Sequence, residues 1–255
     1  MLDPKQIADV ANIIKNSKYI VVFTGAGIST ESGIADFRSE GGLWSRYDPS
    51  IYASYHYFLE DPSKFWEMHN ELHDILEKAE PNPAHYAIAE LEKMEKVKAI
   101  ITQNIDMLHQ KAGSGTYSKI PIYELHGAYG IYECIKCKKT WEPFEIETKS
   151  VRYPECDICG GYIKPKVVLF GEALPMGVMD GAMNECINCD CLLMVGSSLV
   201  VSPANYMPSI AKENGAKVIF INRDNTYMDE LADIFLQGSA SEIFTAIMNE
   251  LRNIL

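Results

Sequence analysis

Long hydrophobic runs are missing from this 255-residue chain. No apolar stretch approaches the roughly 18 residues that a membrane-spanning helix needs, and the N-terminal stretch MLDPKQIADVANIIKN has neither a basic flank nor a long apolar core. The expectation is a cytoplasmic protein without a signal peptide or a membrane partner. Basic clusters are missing as well: the formal net charge is −12, and the basic residues are mostly lysines scattered singly. Direct nucleic-acid binding, which needs a clustered basic face, is therefore not expected. An acidic protein can still attract a basic peptide. Repeats and low-complexity tracts are also absent. The seven cysteines are an odd number, and four of them have metal spacing, which fits a reducing compartment better than a disulfide framework.

What is present is an ordinary globular composition, 47% hydrophobic and 23% charged, long enough for one large domain carrying a smaller insertion. Asp3-Pro4 opens a helix to about Asn16, with Asp3 as cap. Tyr19 to Thr24 is a β-branched apolar run that reads as a strand buried on both faces, and it empties into Gly25-Ala26-Gly27. A helix start is expected there. Small residues let the backbone approach a ligand, and free N–H groups at a helix N-terminus can hold a phosphate. Two details depart from the dehydrogenase fingerprint: Thr30 stands where a third glycine would fall, and no acidic residue ends a second strand about 20 residues on. Asp36-Phe37-Arg38 follows instead, with Arg38 available to pair with phosphate oxygens. The alternative is a tight turn with a surface ion pair.

Residues 41–80 read as a helical excursion with a helix from Ser63 to Lys78. Beyond Pro83 come an amphipathic helix (84–95), a strand from Val97 to Thr102 ending in Gln103-Asn104-Ile105-Asp106, and a strand from Ile122 to Leu125 ending in His126-Gly127. After a cysteine module and an apolar run, Val167 to Phe170, alternation resumes with strands at 191–195, 217–221 and 234–236, the first running into Gly196-Ser197-Ser198, and helices near 203–214 and 242–253. Strands alternating with helices predict an α/β fold with a doubly wound parallel sheet, whose ligands bind beyond the carboxyl ends of the strands.

Cys134-x2-Cys137 and Cys156-x2-Cys159 have two-knuckle zinc spacing. Four thiolates close the tetrahedron and leave no open position, so one structural zinc ion is expected, holding a ribbon too small for its own core. Cys186, Cys189 and Cys191 lack a fourth ligand nearby and read as packing or surface thiols. His69 and His73 are four apart on a helix, yet Glu71 falls one place late for a zinc-peptidase base; a solvated or aromatic-packed face is the simpler reading. His85 and His109 get the same structural reading. His126 differs because it ends a buried strand, where ligands dock, and an imidazole with a pKa near 6.5 can take a proton at neutral pH.

Taken in order, Gly25-Ala26-Gly27-Ile28-Ser29, Gly33-Ile34-Ala35-Asp36-Phe37-Arg38, Thr102-Gln103-Asn104-Ile105-Asp106, His126-Gly127, the four cysteines, Phe170-Gly171-Glu172 and Gly196-Ser197-Ser198 resemble a sirtuin, an NAD-dependent protein lysine deacylase. The resemblance covers nearly the whole chain. It implies a Rossmann-like NAD-binding domain over 1–40, 81–126 and 165–255, with a helical module (41–80) and a zinc-binding module (127–164) forming a small domain. It also implies that Ala26, Thr30 and Arg38 hold the pyrophosphate region, with Gly25, Gly27 and Asp36 in the same cofactor loop, and that Phe37 shields the reactive ribose. Ile105 and Asp106 would bind the nicotinamide carboxamide; Gln103 and Asn104 would contact the ribose, Asn104 also ordering water. Gly196, Ser197, Ser198, Asn222, Ser239 and Ala240 would hold the adenosine half. Backbone groups of Val168, Leu169 and Phe170 would take an acyl-lysine peptide as an added strand. In the implied reaction the acyl oxygen attacks the nicotinamide ribose as nicotinamide leaves, His126 deprotonates a ribose hydroxyl, and free lysine and O-acyl-ADP-ribose result.

Departures from the family pattern are Ala35 for the usual proline and Ala128-Tyr129 after His126-Gly127. Relatives that prefer succinyl-lysine carry a Tyr-x-x-Arg pair in the helical excursion; no arginine occurs here between Arg46 and Arg152, which predicts a neutral acyl group. Three rivals remain at this point: an ADP-ribosyltransferase on the same scaffold, disfavoured by His126; a dehydrogenase, disfavoured by the missing glycine and acidic residue; and a zinc-ribbon binding module without catalysis.

Overall fold

The computed structural model describes residues 2–36 and 42–255. Helix α1 (Pro4–Asn16) starts where Asp3 accepts from the Lys5 amide and buries Ile7, Val10, Ala11 and Ile14. Strand β1 (Ile20–Thr24) is buried along its whole length. Beyond it lies a 3-10 helix, Ala26–Ser32, where the sequence predicts an ordinary helix start. Its bonds run from residue i to i−3, Ile28 N–H to Gly25 O at 3.1 Å and Gly33 N–H to Thr30 O at 3.2 Å, while the Gly27 N–H, which has no acceptor within the helix, donates to the Gly196 carbonyl at 2.8 Å.

The excursion is helical as expected, with α2 (Pro49–Tyr52), α3 (Tyr55–Glu60) and α4 (Ser63–Lys78). Asn82 caps α5 (Pro83–Lys93), which leads to β2 (Val97–Thr102), α6 (Leu108–Lys111) and β3 (Ile122–Glu124). Strands β4 (Gly127–Cys134), β5 (Thr140–Trp141) and β6 (Ile163–Val167) form a separate three-stranded antiparallel sheet. The chain then returns through α7 (Met176–Asn188), β7 (Cys191–Val195), α8 (Met207–Glu213), β8 (Lys217–Asn222), β9 (Ile234–Gln237) and α9 (Ala240–Ile254).

The large sheet has the order β3-β2-β1-β7-β8-β9 and is parallel throughout. Winding goes outward from β1 through β2 to β3, then from β7 through β8 to β9, so the order reverses between β1 and β7. That switch point is where ligands dock in such sheets. One face of the sheet packs on α1, α5 and α9 around Val10, Ile88 and Phe244, and the other on α7 and α8 around Ala182, Cys186 and Met207. A third core joins the excursion to the small sheet, with Phe58, Phe65 and Trp66 against Tyr132, Ile163 and Leu169. Fully burying side chains of this size contributes roughly 1.5–3 kcal/mol each.

Candidate active site

At the switch point the backbone of three glycines meets. Gly25 N–H donates to Val195 O at 3.0 Å, Gly27 N–H to Gly196 O at 2.8 Å, and Ile28 N–H to Gly25 O at 3.1 Å. A Cβ on Gly25 would lie 2.8 Å from Gly196 O, one on Gly27 2.7 Å from Gly196 Cα, and one on Gly196 2.3 Å from Ile28 N. At these three positions only glycine lets the two segments approach this closely. Above it opens a cavity of about 750 Å³, within the range of small-molecule sites. Gly25, Ala26, Gly27, Thr30, Asp36, Gln103, Asn104, Ile105, His126, Val168, Leu169, Phe170, Gly196, Ser197, Ser198, Asn222, Ser239 and Ala240 all line it. Asp106 lies beside it, in an annex of about 50 Å³ shared with Ser29, Ile34 and Ile105. Phe37 and Arg38 fall outside the described residues.

His126 ends the β3 segment, and its Nδ1 sits 2.9 Å from the Gln103 carbonyl. A carbonyl only accepts, so Nδ1 carries the proton and the neutral ring keeps its lone pair on Nε2. Asn104 is oriented by similar logic. Its Nδ2 donates to Gly25 O at 3.2 Å and to Ser29 Oγ at 3.1 Å, which assigns Oδ1 as the remaining acceptor. Beneath it, the Asn104 amide donates to Thr102 Oγ1, Thr24 Oγ1 donates to Thr102 Oγ1, and His109 Nε2 closes the chain on Thr24 at 3.0 Å. Asp106 accepts from Ser29 Oγ at 2.7 Å and Leu108 N–H at 2.9 Å; burial pushes its carboxyl above the usual range despite those two donors.

Several predicted side chains are held by the protein itself. Gln103 Nε2 donates to Ser197 Oγ at 2.8 Å, and Asn222 Nδ2 donates to Ser197 O and Asp224 O, which leaves Oδ1 as the outward acceptor of the Asn222 side chain. Ser239 Oγ donates to Glu31 at 2.7 Å and accepts from Glu242 N–H as the cap of α9. Glu31 also accepts from Ser241 N–H at 3.1 Å, and these donors keep its carboxyl below the usual range although burial pushes it up. Sequence reasoning gave no individual site role to Thr24, Ser29 or Glu31, and read His109 as structural, as its burial against Thr24 bears out.

The four cysteines lie apart from the cavity. Their sulfur atoms are all within 4.8 Å of one another, with Cys134–Cys159 and Cys137–Cys156 at 3.5 Å. Zinc–sulfur bonds of about 2.3 Å in a tetrahedron place sulfurs roughly 3.8 Å apart, so the set fits one structural zinc ion. Cys186, Cys189 and Cys191 are buried, with their thiols pushed up by burial, and behave as packing residues. His69 and His73 lie in an aromatic cluster: His69 is 4.6 Å from the Trp66 ring and 5.3 Å from Tyr129, and His73 hydrogen-bonds the Tyr129 hydroxyl.

A cavity of this kind, at the switch point of a doubly wound sheet and with an oriented imidazole in its wall, defines an enzyme that uses a dinucleotide. The Sir2 family model matches residues 25–203. The chain belongs to the Sir2 family. It is 48% identical over 252 residues to an NAD-dependent protein deacylase 2 of Archaeoglobus fulgidus, covering 98% of this chain and 97% of that protein. Among solved structures, a Sir2 homolog–NAD complex aligns with TM-score 0.88 and 39% identity, covering 96% of this chain and 94% of that one. Sir2Af2 bound to a myristoylated histone peptide aligns with TM-score 0.82 and 42% identity, covering 99% and 98%. Among the described residues no helix is long and apolar enough to cross a membrane.

Proposed function

We propose that this chain is an NAD-dependent protein lysine deacylase that moves the acyl group of an acyl-lysine peptide to ADP-ribose. One observation carries the reading: a single cavity runs from the glycine cradle past His126 to the Val168–Phe170 strip. The cradle residues Gly25, Ala26, Gly27 and Gly196 would hold NAD, which would supply an electrophilic ribose carbon and a nicotinamide leaving group. The protein's part is position, proton transfer and water exclusion. His126 accepts a proton at Nε2, a role supported by the Nδ1 bond to Gln103. Asn104 orients a water or ribose hydroxyl through Oδ1. Ile105 and Asp106 form the nicotinamide annex, and Ala26 and Thr30 the pyrophosphate contacts; Arg38 is assigned to the pyrophosphate by the family motif alone. Gln103, Ser197, Ser198, Asn222, Ser239 and Ala240 frame the rest of the nucleotide.

The Val168–Phe170 strip takes the peptide backbone alongside it as an added strand, with the Val168 carbonyl as its open acceptor. A neutral acyl group is favoured: Leu43, Phe65, Met68, Leu72 and Ile105 line that end of the cavity, and Arg223 beside Asn222 is the one cation among the described lining residues. The large sheet with its helices is the nucleotide domain (1–40, 81–126 and 165–255), and 41–80 with 127–164 make the small one. The protein works in the cytoplasm, without direct nucleic-acid or membrane binding.

The test is mass spectrometry of an acetyl-lysine peptide incubated with and without NAD, following peptide and nucleotide products. Acetyl loss only with NAD, together with O-acetyl-ADP-ribose, is the expected outcome. Nicotinamide release with the peptide still acetylated would shift the assignment to ADP-ribosyl transfer, NAD hydrolysis or another acyl chain. His126→Ala is expected to lower turnover by roughly 10² to 10⁴-fold with unchanged melting, and normal turnover in that variant would sink its role.

A further inference from the structure

Among the described residues, Lys164 is the one buried lysine. It sits in β6 and does not line the cavity. A buried ammonium is costly unless its donors are answered, so its partners reveal its task. Nζ donates to the Val167 carbonyl at 2.7 Å and lies 3.1 Å from Glu172 Oε2. The same Glu172 oxygen accepts from Leu169 N–H at 3.1 Å, and Glu172 N–H donates to Leu169 O at 2.9 Å. The ammonium thus bridges the two residues that flank the substrate strip, the Val167 carbonyl before it and the Glu172 carboxylate after it.

The other backbone groups of the strip are also held. Val168 N–H donates to His126 O at 2.8 Å, Phe170 N–H to Ala53 O at 2.8 Å, and Tyr55 N–H to Phe170 O at 2.9 Å. Among the described residues, the Val168 carbonyl is the one carbonyl of Val168–Phe170 that receives no donor, and all three N–H groups donate. We propose that Lys164 is a positioning residue for the acyl-lysine peptide: by holding the Val167 carbonyl and the Glu172 carboxylate together, it keeps the strip in the shape that presents the Val168 carbonyl beside His126. This rests on the reading of the strip as the peptide-binding edge.

The experiment measures acyl-lysine peptide affinity by fluorescence anisotropy, peptide KM and kcat, NAD affinity without peptide, and Tm, in full-length protein. Lys164→Met is expected to weaken peptide affinity and raise peptide KM about tenfold, the lower end of what losing one charged hydrogen bond brings. NAD affinity and kcat stay within about twofold. Lys164→Arg, which keeps charge and donors, returns peptide affinity to within about threefold of the parent. Should Lys164→Met fail to fold because Glu172 is left unpaired, the double variant Lys164→Met/Glu172→Leu removes both charges and must show the same weakening. Unchanged peptide affinity in a folded variant overturns the proposal. So does parallel loss of peptide and NAD affinity with falling Tm, which marks a merely structural lysine. Peptide affinity is read without turnover, so a parent protein lacking NAD-dependent deacylation would count against the functional reading and leave this test standing.

Discussion

Acid should unfold this protein through three histidines that the fold keeps neutral. His69, His85 and His109 are 3%, 0% and 1% exposed, and burial pushes their pKa values down to about 3, 4 and 3. In the unfolded chain each returns to about 6.5. Since the folded values are depressed, the unfolded state binds more protons below neutrality, and stability falls with pH. The stabilising contribution is complete above about pH 6.5 and is lost progressively toward pH 3–4. At pH 5 each histidine has lost about 2 kcal/mol, or roughly 6 for three, which is comparable to the 5–15 kcal/mol by which domains are stable. Asp106 and Glu124, whose carboxyls burial pushes up, offset part of this, whereas protonation of the zinc thiolates adds to it. A paired measurement removes both. His69→Phe puts a ring of similar size among Phe65, Trp66 and Tyr129 and deletes one titration. Urea unfolding followed by far-UV circular dichroism at pH 7.5, 6 and 5 should show the variant gaining on the parent by about 1.4 kcal/mol per pH unit below pH 6. Parallel pH dependence of the two proteins would show that the folded state accommodates a charged His69 and would refute the reasoning.

Two further outcomes follow from the geometry. Gly196 has φ +62°, and a Cβ there falls 2.3 Å from Ile28 N, so Gly196→Ala should displace the glycine loop, cost about 1–2 kcal/mol in backbone strain alone and weaken NAD binding at least a hundredfold by calorimetry. Parent-like affinity would mean that the close approach is dispensable. Elemental analysis should find one zinc per chain, and stripping it with a chelator should lower Tm and expose four titratable thiols; melting that is indifferent to the metal would remove its structural role.

Much of the architecture is legible in the residues because local pattern and tertiary role agree. The apolar runs of β1 and β7 are buried at every position, and α4 keeps the predicted ends Ser63 and Lys78. Helix α7 is not legible. Its two glycines dilute the apolar stripe, and the reason for one of them lies elsewhere in the chain: a Cβ on Gly181 would sit 2.3 Å from the Tyr123 ring. The 3-10 helix after β1 is not legible either, since the close contact of its Gly27 is with Gly196, 169 residues further along the chain. Polar roles are the least legible. Ser29 meets Asp106 across 77 residues and Ser239 meets Glu31 across 208, and nothing in either neighbourhood announces the partner. His126, by contrast, stands out because a strand end and a His-Gly pair coincide.

The mutual contact of Gly25, Gly27 and Gly196 constrains how this fold can be altered over generations. Each added methyl strikes main-chain atoms of the opposite segment, so no trimming of a neighbouring side chain can make room for it. A substitution at one position has no simple suppressor at another. Change in substrate range must therefore arise elsewhere in the cavity, at the side chains of α4 and the mouth near Trp44 and Phe170, whose rings stand 6.2 Å apart, while the nucleotide cradle is inherited whole or lost.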